Sequence, residues 1–109
     1  MIQPIELNTL KSKLDAGEPM VLVEALPARY YEAEHLPGAI NIPHDQIHRL
    51  APEYLPDKNK PVVVYCASTD CQNSRIAAQA LEIMGYRQVW EYVEGKADWK
   101  AAGLPLEGV

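Results

Sequence analysis

PVVVYCASTDCQNSRIAAQALEIM, residues 61–84, joins an apolar run to a helical pattern through a short polar loop. The three valines of Pro61–Cys66 predict a strand that is buried on both faces, as in a parallel sheet. Within Asn73–Met84, apolar residues recur at spacings of three and four, which predicts a helix. Asn73 or Ser74 is suited to cap its start, and Gly85 suits the left-handed residue past its end.

Strand and helix patterns alternate on both sides of this stretch. Three more strands are predicted, at Met20–Ala25, Ala39–Ile42 and Gln88–Val93. Helices are predicted from a capping Asn8 through Leu14 with Gly17 past the end, and at Pro27–His35, Gln46–Leu50 and Lys96–Ala102. A surface loop is predicted at Pro52–Pro61. We therefore expect residues 1–109 to form a single α/β domain, with a mostly parallel central sheet of about four to five strands and helices on both faces.

Composition narrows the functional classes. The 109 residues carry a net charge of −5 and a pI of about 5.1, which argues against a nucleic-acid-binding surface. Two cysteines are too few for a disulfide scaffold, and with no histidine near them they do not complete a zinc site. The N-terminal MIQPIELNTLKSKL lacks a secretory-signal pattern, and no apolar run is long enough for a membrane span. We therefore expect a cytoplasmic protein without membrane or nucleic-acid partners.

Cys66 is the candidate nucleophile, because it ends a strand and precedes a loop and a helix. In open α/β sheets, ligands bind beyond the carboxyl ends of the strands. The helix that follows turns its free N–H groups and positive dipole end toward the loop, which favours a thiolate over a thiol. The same loop suits an anion or a bound persulfide. From spacing alone, a buried cysteine that acts as a small apolar residue is an equal alternative.

Four segments carry a family resemblance. HLPGAINIP (35–43) is similar to a segment that usually reads GHIPGAINIP, and PVVVYC (61–66) is similar to an active-site strand that ends in a catalytic cysteine, here Cys66. VLVEALPARYYEAEH (21–35) and residues 74–107 resemble the elements that come before and after these segments. In this order, and over most of the chain, the segments resemble the rhodanese-like sulfurtransferase domain family, in its single-domain form.

This resemblance implies a sulfurtransferase that requires no metal or organic cofactor. Cys66 would attack a sulfane sulfur donor, such as thiosulfate or a persulfide, and become a persulfide. A thiol or cyanide would then take the sulfur, so the expected partners are a small donor and a thiol acceptor, either a small molecule or a protein. Backbone N–H groups of the substrate-binding loop would stabilise the persulfide, and that loop comprises Ala67, Ser68, Thr69, Asp70, Cys71, Gln72, Asn73, Ser74 and Arg75.

Three positions depart from the family pattern. The loop after Cys66 is slightly longer than usual, includes Asp70 and has no Gly, Lys or Arg before the helix. Asp70 is expected to weaken binding of dianionic thiosulfate, while a longer loop would admit a bulkier donor. Leu26 ends Glu24-Ala25-Leu26, where the family commonly has Asp-x-Arg, so the guanidinium that usually braces the fold is absent. Glu94-Gly95 stands where the family usually has Gly-Gly.

Individual side chains leave alternatives open. Cys71 is either a resolving thiol, which would attack the Cys66 persulfide, or an idle loop cysteine. Arg75 either helps to hold an anion or is a solvated residue of the first helical turn. Ser68, Thr69 and Asn73 either donate hydrogen bonds to a bound oxyanion or serve the turn and the helix cap. We expect Tyr65 to line the pocket wall and His35 to have a structural role. The other histidines, His44 and His48, are expected at the surface, and Trp90 and Trp99 are expected in the core.

Three functions compete at this stage. The first is sulfur transfer through Cys66, and the second is a thiol redox or persulfide-relay module that uses Cys66 with Cys71. The third is a non-catalytic rhodanese-like binding domain, which differs in predicting a high pKa for the Cys66 thiol. A cysteine phosphatase is disfavoured, because that chemistry needs an arginine six positions after the cysteine and this chain has Gln72 there.

Overall fold

The computed structural model describes all 109 residues and contains one five-stranded parallel sheet in the order β1-β5-β4-β2-β3. The strands are β1 Gln3–Pro4, β2 Val21–Glu24, β3 Ile40–Asn41, β4 Val62–Tyr65 and β5 Val89–Tyr92. The helices are α1 Leu7–Asp15, α2 Ala28–Ala33, α3 Ile47–Tyr54, α4 Asn73–Ile83 and α5 Gly95–Ala101, and a 3₁₀ turn at His44–Gln46 precedes α3. The predicted α/β fold with a parallel sheet is confirmed.

The strand β4 separates two apolar layers. Its four residues are all buried, as the valine run predicts. Val62 and Val64 face one layer, in which residues of α3 and α4 cover the sheet. Val63 and Tyr65 face the other layer, in which Leu10 of α1 and Trp99 of α5 are buried. Helices therefore cover both faces, and Cys66 emerges from the centre of the sheet.

The edge strand β1 was not predicted from the sequence. Its two residues are exposed, so they carry no apolar signal. They join the sheet through backbone pairing with β5, with Gln3 opposite Trp90 and Pro4 opposite Glu91. Proline is tolerated at this position because an edge strand has one side without ladder hydrogen bonds.

The helix α3 continues through Pro52, where the sequence predicted the start of a loop. The prediction was wrong because burial of Ile47, Ala51 and Leu55 continues the helical face past the proline. Proline in a helix removes one backbone hydrogen bond and crowds the carbonyl four residues before it, and the burial of this helical face offsets that cost. The following residues form the predicted surface segment as far as β4.

The predicted helix caps are not formed by side chains. Helix α1 begins at Leu7, which places Asn8 inside it, and the residue before α4 is Gln72 without a capping side-chain bond. The Ser74 hydroxyl instead donates to Glu91. The C-terminal predictions are confirmed, since Gly17 and Gly85 adopt φ values of 68° and 97° in the left-handed region.

Several single-residue predictions can be compared with the structure. His35 is buried and its Nδ1 bonds the carbonyl of Tyr31, which confirms a structural role. Trp99 is buried and His48 exposed, as expected, whereas Trp90 and His44 are half-buried. Tyr65 does not line the pocket wall, because it points into the layer opposite Cys66. None of the helices has the length and apolar character that a membrane span requires.

Candidate active site

Cys66 lies directly after β4, with its backbone held by the start of α5. The N–H groups of Lys96 and Ala97 donate to the carbonyls of Cys66 and Ala67, at 2.9 and 2.8 Å. The first N–H groups of a helix have no partner within the helix. Here they bind the carbonyls of the site, so the last helix fixes the direction in which the loop leaves the sheet.

Gly95 makes this close approach possible. Its φ is 67°, and a Cβ atom at this position would lie 2.5 Å from the Cys66 carbonyl oxygen and 3.1 Å from the Ser68 nitrogen. Any side chain would therefore displace the loop or the helix. The close approach of the active-site loop therefore explains why the second residue of the Glu94-Gly95 pair is a glycine.

The Cys66 sulfur is enclosed by the loop and by the first turn of α4, and only 1% of the residue is exposed. The Ser74 N–H donates to Sγ at 3.4 Å. The thiol in turn has two oxygen acceptors within reach, the Ser74 hydroxyl at 3.3 Å and the Cys71 carbonyl at 3.5 Å. Acceptors therefore outnumber donors around the sulfur.

The environment of Cys66 raises the pKa of its thiol from 9.0 to about 11. Burial is the main cause and the contact with Cys71 adds to it, while the contacts with Ser74 act in the opposite direction. The expectation that the loop and the helix N-terminus favour a thiolate is therefore wrong for this structure. The reason is that only the two contacts with Ser74 favour the thiolate, and desolvation of the charged form outweighs them.

The rest of the loop stays accessible. Ala67, Thr69, Asp70 and Gln72 are exposed, whereas Ser68, Cys71 and Asn73 are half-buried. The Cys71 N–H donates to the Ser68 carbonyl and makes a tight turn. Both cysteines are free thiols. Of the predicted site residues, Cys66, the Cys71 backbone and Ser74 are thus brought into contact, while the side chains of Thr69 and Asp70 remain at the surface.

Glu91 is a site residue that sequence reasoning missed. It lies on β5 with 3% of its surface exposed, and its two carboxylate oxygens accept hydrogen bonds at 2.9 Å from Ser74 Oγ and from Arg75 Nε. The two roles predicted for Arg75, anion binding and a solvated position on the first helical turn, do not include this bond to Glu91. The signal in the sequence was a lone carboxylate in the apolar run QVWEYV, on the same strand face as Val89.

A buried ion pair on the other sheet face involves the departure at Leu26. The Lys96 ammonium donates to Glu24 Oε2 at 3.0 Å and to the carbonyls of Tyr30 and Glu34. The Tyr65 hydroxyl donates to the other oxygen of Glu24 at 2.7 Å. Lys96 thus supplies a buried cation to Glu24, and Leu26 and Lys96 line the same groove.

A groove of about 320 Å³ borders the loop at Ala67. Apolar residues such as Leu26 and Ala97 line it, together with the charged residues Glu34, Lys96 and Lys100. The site therefore combines an enclosed sulfur, an accessible loop and an adjacent groove of mixed character.

Sequence comparisons identify the family of this chain. The rhodanese-like domain profile matches residues 6–102. The chain belongs to the rhodanese-like domain family. Thiosulfate sulfurtransferase PspE of Escherichia coli is 41% identical over 59 residues, which cover 54% of this chain and 55% of that protein. The HTH-type transcriptional regulator Rv0324 of Mycobacterium tuberculosis is 34% identical over 98 residues, which cover 90% of this chain and 42% of the regulator.

Solved structures give the same assignment. The crystal structure of a thiosulfate sulfurtransferase from Pseudomonas aeruginosa superimposes with a TM-score of 0.84 and 28% identity, over 98% of this chain and 20% of that one. The rhodanese-like chain spans about half the length of the two curated relatives above. The shared domain therefore occurs both in small sulfurtransferases and inside larger proteins.

Proposed function

We propose that this rhodanese-like domain is a sulfurtransferase that carries sulfane sulfur as a persulfide on Cys66. The observation that supports this most is the position of Cys66, at the carboxyl end of the central strand and inside a loop held by α5. The resemblance to PspE and to the Pseudomonas aeruginosa enzyme, both named as thiosulfate sulfurtransferases, points to the same chemistry.

The reaction proceeds in two displacements. In the first, the Cys66 thiolate attacks the outer sulfur of thiosulfate, the S–S bond breaks and sulfite leaves with its electron pair, so that Cys66 becomes a persulfide. In the second, a thiolate or cyanide attacks the terminal sulfur, and Cys66 leaves as the thiolate. A low-molecular-weight persulfide reacts in the same way, with its thiolate as the leaving group. No external oxidant or reductant is needed.

Loop and groove together suit a donor larger than thiosulfate. Asp70 is exposed in the loop and disfavours a dianion, whereas the groove beside Ala67 has room for the organic part of a persulfide. We therefore propose a persulfide as the better donor and a small or protein thiol as the acceptor. Free thiols at both cysteines suit the reducing cytoplasm, which we propose as the location.

A second candidate is a non-catalytic binding domain. It is favoured by one observation, the raised pKa of the Cys66 thiol, which leaves little thiolate at neutral pH. In that case the loop would recognise a partner without forming a persulfide. The binding domain and the sulfurtransferase differ in whether Cys66 gains sulfur.

The test is the intact mass of the reduced protein after incubation with thiosulfate or, separately, with glutathione persulfide. We expect a gain of one sulfur atom, larger in yield from the persulfide. The gain should disappear in Cys66→Ser and persist in Cys71→Ser, which removes the other thiol of the loop. If Cys66→Ser still gained a sulfur atom, Cys66 would not be the residue that carries the sulfur.

Absence of any gain from either donor would favour the binding domain. A loss of two hydrogens would instead point to a disulfide between Cys66 and Cys71, and hence to the thiol redox module. Steady-state thiocyanate production from cyanide, measured alongside, tests whether the bound sulfur turns over.

A further inference from the structure

A buried chain of hydrogen bonds leads from the candidate nucleophile to a carboxylate. Cys66 Sγ lies 3.3 Å from Ser74 Oγ, and Ser74 Oγ lies 2.9 Å from Glu91 Oε2. Arg75 Nε holds the other carboxylate oxygen at 2.9 Å. The exposed fractions of Cys66, Ser74 and Glu91 are 1%, 1% and 3%, so water does not compete for these bonds.

The direction of this chain follows from the number of available hydrogens. A serine hydroxyl has one hydrogen to donate, and an ionised carboxylate can only accept. Arg75 Nε donates to the other oxygen of Glu91, and the charge-assisted bond to a carboxylate is the stronger of the two bonds open to the Ser74 hydroxyl. The Ser74 hydroxyl therefore turns a lone pair toward Cys66 and accepts from its thiol. The hydroxyl can lower the pKa of Cys66 only when it turns its hydrogen to the sulfur, and the bond to Glu91 opposes that turn.

We propose that Glu91, acting through the Ser74 hydroxyl, holds Cys66 in its thiol form and thereby sets the reactivity of the nucleophile. This inference rests on the proposed function of Cys66 as the sulfur carrier. Glu91 is a positioning residue, because it touches Ser74 and not the sulfur. Ser74 touches the reacting atom with both its N–H and its hydroxyl.

Formation of the reactive Cys66 thiolate then requires one proton transfer from its thiol and one rotation of the Ser74 hydroxyl. The S–H bond of Cys66 breaks and its proton passes to a solvent base, while the electron pair stays on sulfur. The Ser74 hydroxyl turns its hydrogen from Glu91 to the new thiolate, which then has two donors, the hydroxyl and the N–H of the same residue. No electron is transferred in this step.

Few charged or titratable groups face this chain. Arg75 approaches Glu91 from α4, and Cys71 approaches Cys66 from the loop. On the neighbouring strands, the residues paired with Glu91 are Pro4 of β1 and Val64 of β4, which carry no charge. The Lys96 ammonium on α5 is engaged with Glu24. A substitution of Glu91 is therefore expected to affect Cys66 mainly through Ser74 and Arg75.

The test is the pH dependence of iodoacetamide alkylation at Cys66, measured in a Cys71→Ser background with a single thiol. Glu91→Gln keeps the shape of the side chain, but its amide can donate to Ser74 and so free the hydroxyl hydrogen for the sulfur. We expect the pKa of Cys66 to fall by about one unit, which gives about tenfold faster alkylation at neutral pH. In a Ser74→Ala background, Glu91→Gln should leave the alkylation rate unchanged.

Three results would overturn the proposal: no change in Glu91→Gln, the same acceleration with and without the Ser74 hydroxyl, or slower alkylation in Ser74→Ala alone. The last result would mean that the hydroxyl already donates to a thiolate. If Glu91→Gln does not fold, Ser74→Ala decides, since a faster rate supports the proposal and an equal or slower rate contradicts it. Alkylation needs no sulfur donor, so a failure of the wild-type protein to form a persulfide would contradict only the proposed function.

Discussion

At the scale of single residues, Lys96 is the most deeply buried of the lysines and arginines. It is 8% exposed and pairs with Glu24, which is fully buried at 0%. Three oxygens surround the ammonium, and the Tyr65 hydroxyl satisfies the remaining carboxylate oxygen of Glu24. Because every charge in this cluster has a partner, removal of one member leaves another buried and unpaired.

Lys96→Ala is accordingly expected to destabilise the protein by about 3–5 kcal/mol, the usual cost of breaking a buried pair from one side. Lys100→Ala is a matched control, because Lys100 forms an ion pair with Glu34 at 3.0 Å but its side chain is 64% exposed. Its loss should cost less than about 1 kcal/mol. Urea denaturation measures both values, and similar losses in the two variants would contradict the structural role given to Lys96.

At the scale of elements, the active-site loop depends on the contact between β4 and the start of α5. The first N–H groups of α5 bind the carbonyls of Cys66 and Ala67, and Gly95 lets the two backbones approach. The loop is therefore positioned by an element that follows it in sequence by one helix and one strand. Its conformation is a property of that packing as much as of its own residues.

Gly95→Ala should distort the site, whereas Gly103→Ala should be mild. Both glycines have positive φ, 67° and 76°, so both variants incur the left-handed strain of about 1–2 kcal/mol. Only at Gly95 would the added Cβ meet backbone atoms, while Gly103 has nothing within 4 Å. We expect a larger loss of stability and a changed alkylation rate of Cys66 in Gly95→Ala alone, measured by urea denaturation and iodoacetamide labelling. Equal behaviour of the two variants would refute this role of Gly95.

At the scale of the whole molecule, burial of weak acids links folding to pH. Burial is the leading cause of the raised pKa values of the Cys66 thiol and of Tyr31, Tyr65, Tyr86 and Tyr92. Each of these groups favours its protonated form in the fold. Above the pKa of the unfolded chain, the unfolded state binds fewer protons than the native state, so the free energy of unfolding falls as pH rises.

Cys66 contributes to this fall in the free energy of unfolding between pH 9.0, its ordinary pKa, and about pH 11, its pKa in the folded protein. Cys66→Ala removes a buried sulfur and should lower stability at neutral pH, but it should also flatten the decline across this interval. The measurement is the urea midpoint at a series of pH values, with reductant present throughout. Parallel curves for the two proteins would show that the pKa of Cys66 is not raised by folding.

The amino-acid sequence by itself determined the parallel α/β architecture, the position of Cys66 at the end of its central strand and the helix that follows. Periodicity carries this information, because the apolar valine run of β4 and the repeats of α4 each reflect burial within one element. Tertiary structure alone decided the protonation preference of Cys66 and the partners of Ser74, Arg75 and Lys96. These properties depend on side chains that β5 and α5 bring from distant positions, Glu91 above all, and on the desolvation that results when they enclose the sulfur.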